Sequence, residues 1–236
     1  VNYPKNKPCR SMEHELDDLP GKMIVFEGLD GAGKSTQIEL LKEHMNRRNI
    51  RVEKYSYKQS STVYHAALKG KWENFDPYTS TLIFLAGITD TLARNIIPAL
   101  QEGKTVLMDR YVYTLLVRAR ARNVSRQFLQ VLDSLREPDL IIYMDIDEQE
   151  AIKRKGLVSD EQVSYWEAGC DLELSASKTE NWSLYQRIIR NEYMELFREQ
   201  PNCVQIDSSA DRDTVHERIC AAIRESISGL FDCSSV

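Results

Sequence analysis

The stretch Met23-Ile-Val-Phe-Glu-Gly28-Leu-Asp30-Gly31-Ala32-Gly33-Lys34-Ser35-Thr36 decides how the chain is read. It opens with a short apolar run closed by turn formers, the pattern of a buried strand. Ile38, Leu41 and Met45 then recur at helical spacing, so a helix is predicted from about Ser35. Between the two, Gly28 to Ser35 follow GxxxxGKS/T, at the strand-to-helix junction where that spacing carries chemistry. Glycines let the backbone wrap so that successive N–H groups converge on phosphate oxygens. The helix start adds the positive end of its dipole. Lys34 supplies a mobile cation for the outer phosphates, and the Ser35 hydroxyl is placed to ligate Mg²⁺. Gly28, Asp30, Gly31, Ala32, Gly33, Lys34, Ser35 and Thr36 are therefore the candidate nucleotide-binding residues, for ATP or GTP.

Outward from this stretch, the pattern keeps alternating. RVEKYSY (51–57), TVLMD (105–109), DLIIYMD (139–145) and CVQID (203–207) are strand candidates. Tyr78 to Leu100 is a long helical stretch whose end Pro98 should bend or shorten. Trp182, Tyr185, Ile189, Tyr193 and Leu196 mark an amphipathic helix, and Val215, Ile219, Ile223 and Ile227 line a final one. Strands that are apolar runs and alternate with helices predict an α/β fold: a parallel sheet with helices on both faces, in one domain. The domain is expected over 22–228, after an irregular extension at 1–21 (Pro4, Pro8 and Pro20 without periodicity) and before a tail at 229–236.

Composition narrows the function. With 42% hydrophobic and 28% charged residues the chain has the balance of a globular protein. A net charge of −5 argues against a partner such as nucleic acid or an anionic membrane. No run of 18 apolar residues occurs, so no membrane span is expected. The five cysteines are scattered, with no CxxC pair, which suggests neither a disulfide framework nor a zinc site and points to a reducing, cytoplasmic setting. A guanine-reading NKxD is absent, and the length suits a small kinase better than a motor.

FEGLDGAGKSTQ (26–37), LIFLAG (82–87), IIPALQEGKTVLMDRYV (96–112), EPDLIIYMDID (137–147) and YQRIIRNEYMELF (185–197) follow one another in an order and spacing far more specific than the glycine loop alone. From Met23 to about Glu225 the chain resembles the thymidylate kinase family of nucleoside monophosphate kinases. The resemblance implies five parallel strands with surrounding helices, ATP and Mg²⁺ as co-substrates, and a small-molecule phosphate acceptor. It implies that Asp30 lies near the acceptor sugar, that Asp109 helps hold Mg²⁺, and that Arg110 bridges donor and acceptor phosphates. It puts Phe84 against the acceptor base; its plain alternative is a core residue. Members are often dimers through their long helices, so a homodimer is open.

The departures from the family's pattern fall on the acceptor side. Ile88 stands where the family has a thymine-reading Arg. Tyr57-Lys58-Gln59-Ser60-Ser61 replaces a phosphate-gripping Arg-Glu-Pro or Arg-Phe-Pro, leaving Lys58 as the available cation. Arg118 and Ala119 replace a Tyr-Gln pair, and Arg118, Arg122 and Arg126 would share one face of a helix. That face is either solvated or supplies Arg118 to the acceptor's phosphate. Gly31 leaves the glycine loop without a catalytic Arg, so a lid over about 156–181 should supply one, with Arg154 as the candidate beside Lys153 and Lys155. Tyr165 and Trp166 either pack or cover the acceptor.

Together these residues predict phosphoryl transfer from ATP to a phosphate monoester, with dTMP as the first named acceptor. Another nucleotide or a phosphorylated specialised metabolite is the alternative within the class. A nucleotide-binding regulatory module without turnover is the alternative outside it.

Overall fold

A computed structural model describes residues 19–72, 75–157, 159–163 and 165–231. Most of the extension and tail expected at the two ends therefore lies outside the described residues, although Gly21 already donates its N–H to Leu100 O at 2.9 Å.

The elements run β1 (Met23–Gly28), α1 (Lys34–Asn46), β2 (Val52–Ser56), α2 (Ser61–Trp72), α3 (Pro77–Thr91), α4 (Ile97–Gln101), β3 (Thr105–Asp109), α5 (Val112–Arg120), α6 (Arg126–Leu129), β4 (Leu140–Asp145), α7 (Glu148–Lys155), α8 (Lys178–Phe197), β5 (Cys203–Asp207) and α9 (Arg212–Ser226). The five strands form one sheet in the order β2-β3-β1-β4-β5, and every pairing is parallel. The expected α/β architecture is the observed one.

β1 shows why its sequence is an unbroken apolar run. Ile24 and Phe26 enter a core built with Ile38 and Leu41 of α1, Trp182 of α8 and Ile219 of α9. Met23 and Val25 point the other way, into a second core with Leu85 and Ile88 of α3 and Leu115 of α5. A central parallel strand is covered on both faces, so both side-chain parities must be apolar. Each such side chain contributes roughly 1.5–3 kcal/mol when fully buried.

Register then fixes the site. Phe26 pairs with Asp109, and Gly28 pairs with Met144, so the glycine loop, the end of β3 and the end of β4 meet at one sheet edge. β1 sends its loop out between neighbours that come from distant parts of the chain, the kind of crevice in which open α/β sheets bind ligands.

Three local features differ from the expectation. The long helix is interrupted: a π-helical turn over Leu92–Ile96 separates α3 from α4, with the Ile97 N–H donating to Leu92 O. Pro98 has no N–H to give, and the wider turn just before it absorbs the change of register. α2 was not anticipated, because residues 61–72 carry no clear apolar period. The run Pro77–Gln101 spans 25 residues at hydropathy 1.3, long and apolar enough by length and composition to cross a membrane. Leu85, Ile88, Leu92, Ile96 and Leu100 of this run pack into the second core, while Leu82 is exposed. The segment expected as a lid has only the short 3₁₀ turns Asp160–Gln162 and Cys170–Leu172 between α7 and α8 among the described residues.

Candidate active site

α1 begins abruptly at the end of the glycine loop, from Gly33 at φ +88°. Glycine is demanded here by conformation and by space. A Cβ on Gly31, at φ +96°, would lie 2.7 Å from Ala151 O, and one on Gly28 would strike the Met144 carbonyl. Lys34 keeps 6% of its surface exposed and donates to the carbonyls of Gly28 at 3.1 Å and Leu29 at 2.6 Å. Burial, reinforced by the nearby Arg110 guanidinium, pulls its ammonium down to about 7. Ser35 Oγ donates to Asp109 Oδ2 at 2.8 Å. A hydroxyl and a carboxylate held together offer the hard oxygen donors that Mg²⁺ takes, so these residues fit that ion.

Around this loop lies a cavity of about 720 Å³, ample for a nucleotide. The residues from Asp30 to Gln37 form one side, with Lys58, Asp109 and Arg110 at one end. Arg154, Ser208, Arg212 and Val215 form the opposite wall.

Arg110 is the pivot of the site. It adopts a left-handed backbone, φ 66°, a conformation costing a non-glycine residue about 1–3 kcal/mol. That turn aims its buried guanidinium back at the glycine loop, where it donates to Gly28 O at 2.9 Å, to Thr114 Oγ1 at 3.2 Å and to Asp30. Arg118 approaches the other oxygen of Asp30 at 3.6 Å. Burial pushes the Asp30 carboxyl up, but Arg110, Arg118, Lys34 and Lys155 outweigh it and hold the group well below the ordinary carboxylate range. Beneath them Glu27, fully buried, accepts from Tyr111 N at 2.8 Å, Thr114 Oγ1 at 2.6 Å and Tyr193 Oη at 2.7 Å. Desolvation there outweighs Arg110 and these bonds and raises its pKa. This network locks the start of α5, and with it the strained turn at Arg110.

A second cavity, of about 500 Å³, opens beyond Arg110. Phe84, Arg118, Tyr165, Trp166 and Tyr185 line it, and Tyr57 lines both cavities. The Tyr57 and Phe84 rings lie 5.7 Å apart, tilted by 38°. The two cavities thus adjoin at Tyr57, Asp30 and the two arginines.

A family model described as thymidylate kinase matches residues 26–219. The chain belongs to the thymidylate kinase family. Curated thymidylate kinases are similar over nearly their whole length. One from Thermoanaerobacter sp. (strain X514) is 29% identical over 217 residues, covering 88% of this chain and 99% of its own. One from Nitrobacter hamburgensis is 30% identical over 223 residues, 89% of this chain and 90% of its own. A probable thymidylate kinase 2 from Saccharolobus solfataricus is 30% identical over 194 residues, 81% of this chain and 90% of its own. The thymidylate kinase family is one of phosphotransferases that use ATP, typically with Mg²⁺.

Against this family background, the sequence-predicted residues divide between the two cavities. The glycine loop, Asp109 and Arg110 surround the first cavity, and Lys58 stands at its end, over the rings of Tyr57 and Tyr64 at 5.4 and 5.6 Å. Phe84 and Arg118 line the second. Arg154 lines the first cavity from its opposite wall with its guanidinium engaged: it donates to the carbonyls of Ser208 at 2.8 Å and Ser209 at 2.9 Å, and so ties α7 to the loop before α9. Lys155, whose charge reaches Asp30, pairs with Glu167 at 3.1 Å.

The arginine face divides. α5 ends at Arg120, so Arg126 starts a separate helix and lies with Arg120 around a third, open cavity. Arg122 forms a two-pronged pair with Asp171 at 2.7 and 2.9 Å and donates to Tyr185 Oη at 2.7 Å. Ile88 is fully buried and lines neither cavity. Glu27, Tyr57 and the Arg122–Asp171 pair were missed by sequence reasoning. A carboxylate inside the otherwise apolar β1 was the available signal for Glu27; Asp171 lies 49 residues from its partner and gave none.

Proposed function

We propose that this protein transfers the γ-phosphoryl group of ATP to a nucleoside monophosphate, with dTMP as the acceptor. The observation that carries the reading is the meeting of two cavities at Arg110 and Asp30: a glycine-loop cavity with Lys34 on one side, an aromatic one with Phe84 and Arg118 on the other. In this reading ATP lies in the first cavity, its outer phosphates against the loop N–H groups and Lys34. Ser35 and Asp109 are the residues that would hold Mg²⁺, which when bound neutralises phosphate charge.

The acceptor base stacks beside Phe84 and Tyr57. Its monophosphate points back toward Arg110, Arg118 and Lys58. An acceptor phosphate oxygen is already nucleophilic, so alignment and charge neutralisation suffice and no general base is needed. Arg110, fixed from below by Glu27 and Thr114, is preorganised to stabilise charge on the moving phosphoryl group. Asp30 keeps the two arginines together and faces the acceptor sugar. Arg154, on the wall of the first cavity, and Lys155, whose charge bears on Asp30, are the cations available from the lid side; both are engaged, Arg154 by backbone carbonyls and Lys155 by Glu167.

A second reading, another monophosphate as acceptor, is favoured by the burial of Ile88 and by Arg118 of α5 and Arg122 just beyond it, which line the second cavity. A coupled ADP-release assay with ATP and Mg²⁺ against dTMP, dUMP, UMP, CMP, AMP and GMP separates the two, with Lys34→Ala as control. Lys34-dependent turnover greatest on dTMP is expected. Turnover greatest on another monophosphate transfers the conclusion to the second reading, and none on the whole panel despite ATP binding overturns both.

A further inference from the structure

Away from both cavities, α1 and α9 bring together His44, His216 and Cys220. None of the three lines either cavity. His216 and Cys220 are four residues apart on α9 and so share its face toward α1. Cys220 Sγ is 3.5 Å from His216 Nε2, and one donor atom from each of the three residues lies within 4.8 Å of the others. The rings of His44 and His216 meet edge to face at 5.6 Å, and Phe231 closes over His44 at 5.4 Å.

The arrangement leaves polar atoms unserved. His44 Nε2 and His216 Nδ1 are buried without a hydrogen-bond partner among the described residues. An unmet buried polar atom costs about 1–3 kcal/mol, so two in one cluster call for a reason. Burial also lowers the pKa of both imidazoles, which favours the neutral form that binds metals. Charges of both signs bear on the cluster: Arg48, Arg224 and Arg47 act on His44, while Asp213 and Glu217 act on His216.

We propose that His44, His216 and Cys220 bind a thiophilic divalent cation of the zinc class, clamping the end of α1 to α9. Two imidazoles and one thiolate are a borderline-soft donor set, suited to a d¹⁰ ion without geometric demands of its own. Bond lengths of about 2.0–2.3 Å put tetrahedral donors roughly 3.3–3.8 Å apart. Loading therefore draws the most distant pair inward by about 1 Å, within the reach of small side-chain rotations. The imidazoles donate their lone pairs as they stand. The Cys220 thiol releases its proton to solvent as the sulfur–metal bond forms, and water completes the coordination. The i,i+4 His–Cys pair comes from one helix and His44 from an element about 170 residues earlier, so cysteine spacing in the sequence holds no trace of the site.

The test uses the full chain, freed of metal by chelation and titrated with Co²⁺ as a spectroscopic probe, then with Zn²⁺. A thiolate-to-cobalt charge-transfer band is expected that saturates at one ion per chain and is abolished by stoichiometric Zn²⁺. Cys220→Ser should abolish the band, and the partly exposed His44→Asn should weaken Co²⁺ binding at least tenfold while far-UV circular dichroism is retained. Zn²⁺ should raise the melting temperature of the wild type and leave that of Cys220→Ser unmoved. A wild type with no charge-transfer band overturns the proposal, as does a band that survives Cys220→Ser or an affinity unmoved by His44→Asn.

Discussion

The two cavities that meet at Arg110 are built on different principles. The first is anchored on one continuous stretch, Asp30 to Gln37 between β1 and the body of α1, to which the ends of β2 and β3, Arg154 of α7 and the start of α9 add walls. The second is made of side chains from α3, α5, α8 and the segment before α8. Phosphate can be held by any chain that turns its N–H groups inward, so its chemistry fixes a short continuous sequence. An acceptor base must be held by particular side chains, which any of several elements can provide. The departures from the family's pattern leave Lys34, Ser35, Asp109 and Arg110 of the first cavity in place: Arg118 and Ala119 line the second, Lys58 stands at the end of the first, and Ile88 lines neither.

The largest expected effects lie where the cavities join. Lys34→Ala and Arg110→Ala should each lower kcat by about 10²–10³-fold in an ADP-release assay, the scale of losing one preorganised charge donor at a transferring group. A smaller loss for Arg110→Ala would break the comparison at its pivot. Next, Phe84→Ala should raise the acceptor KM about tenfold, the scale of one lost base–aromatic stack, with the ATP KM unchanged. An equal rise for both substrates would mean that Phe84 supports the fold of both cavities.

The depressed Lys34 makes a pH prediction. Its ammonium titrates at about 7 against an ordinary 10.5. Above pH 7 the free protein has lost this charge, whereas bound phosphates favour it, so ATP binding takes up a proton. Calorimetric ATP affinity should fall by up to tenfold per pH unit above about 7, and Lys34→Met should remove that dependence. The stability sign is the opposite. Between about 7 and 10.5 the unfolded chain binds more protons at Lys34, so this residue's contribution to stability rises with pH over that window. The smallest effect is expected at Arg154: Arg154→Ala loosens the loop at Ser208–Ser209 and should raise the ATP KM a few-fold with kcat nearly intact. A large loss of kcat would return Arg154 to a catalytic role.

The same contrast explains what the sequence could disclose. β1, β3 and β4 were legible because each is an apolar run with turn residues beside it, and the glycine loop because its spacing is local. α2 was not legible, since its stability comes from packing on α3 and its own residues carry little period. The arginine cluster was half legible. Four-residue spacing correctly brought Arg118 and Arg122 to one side, but the helix stops at Arg120, and Arg126 goes elsewhere. Asp171 answers Arg122 from a segment with no regular period, and pairings of that kind are decided by tertiary folding alone.

The most direct test of a donor cavity and an acceptor cavity meeting at Arg110 is two-substrate initial-rate kinetics on Arg118→Ala. Arg118 stands in the second cavity yet shares Asp30 with Arg110 of the first. The account predicts an acceptor KM raised about 10–100-fold, the worth of charge-assisted bonds to a phosphate, with the ATP KM unchanged. A raised ATP KM with the acceptor KM unmoved would contradict it.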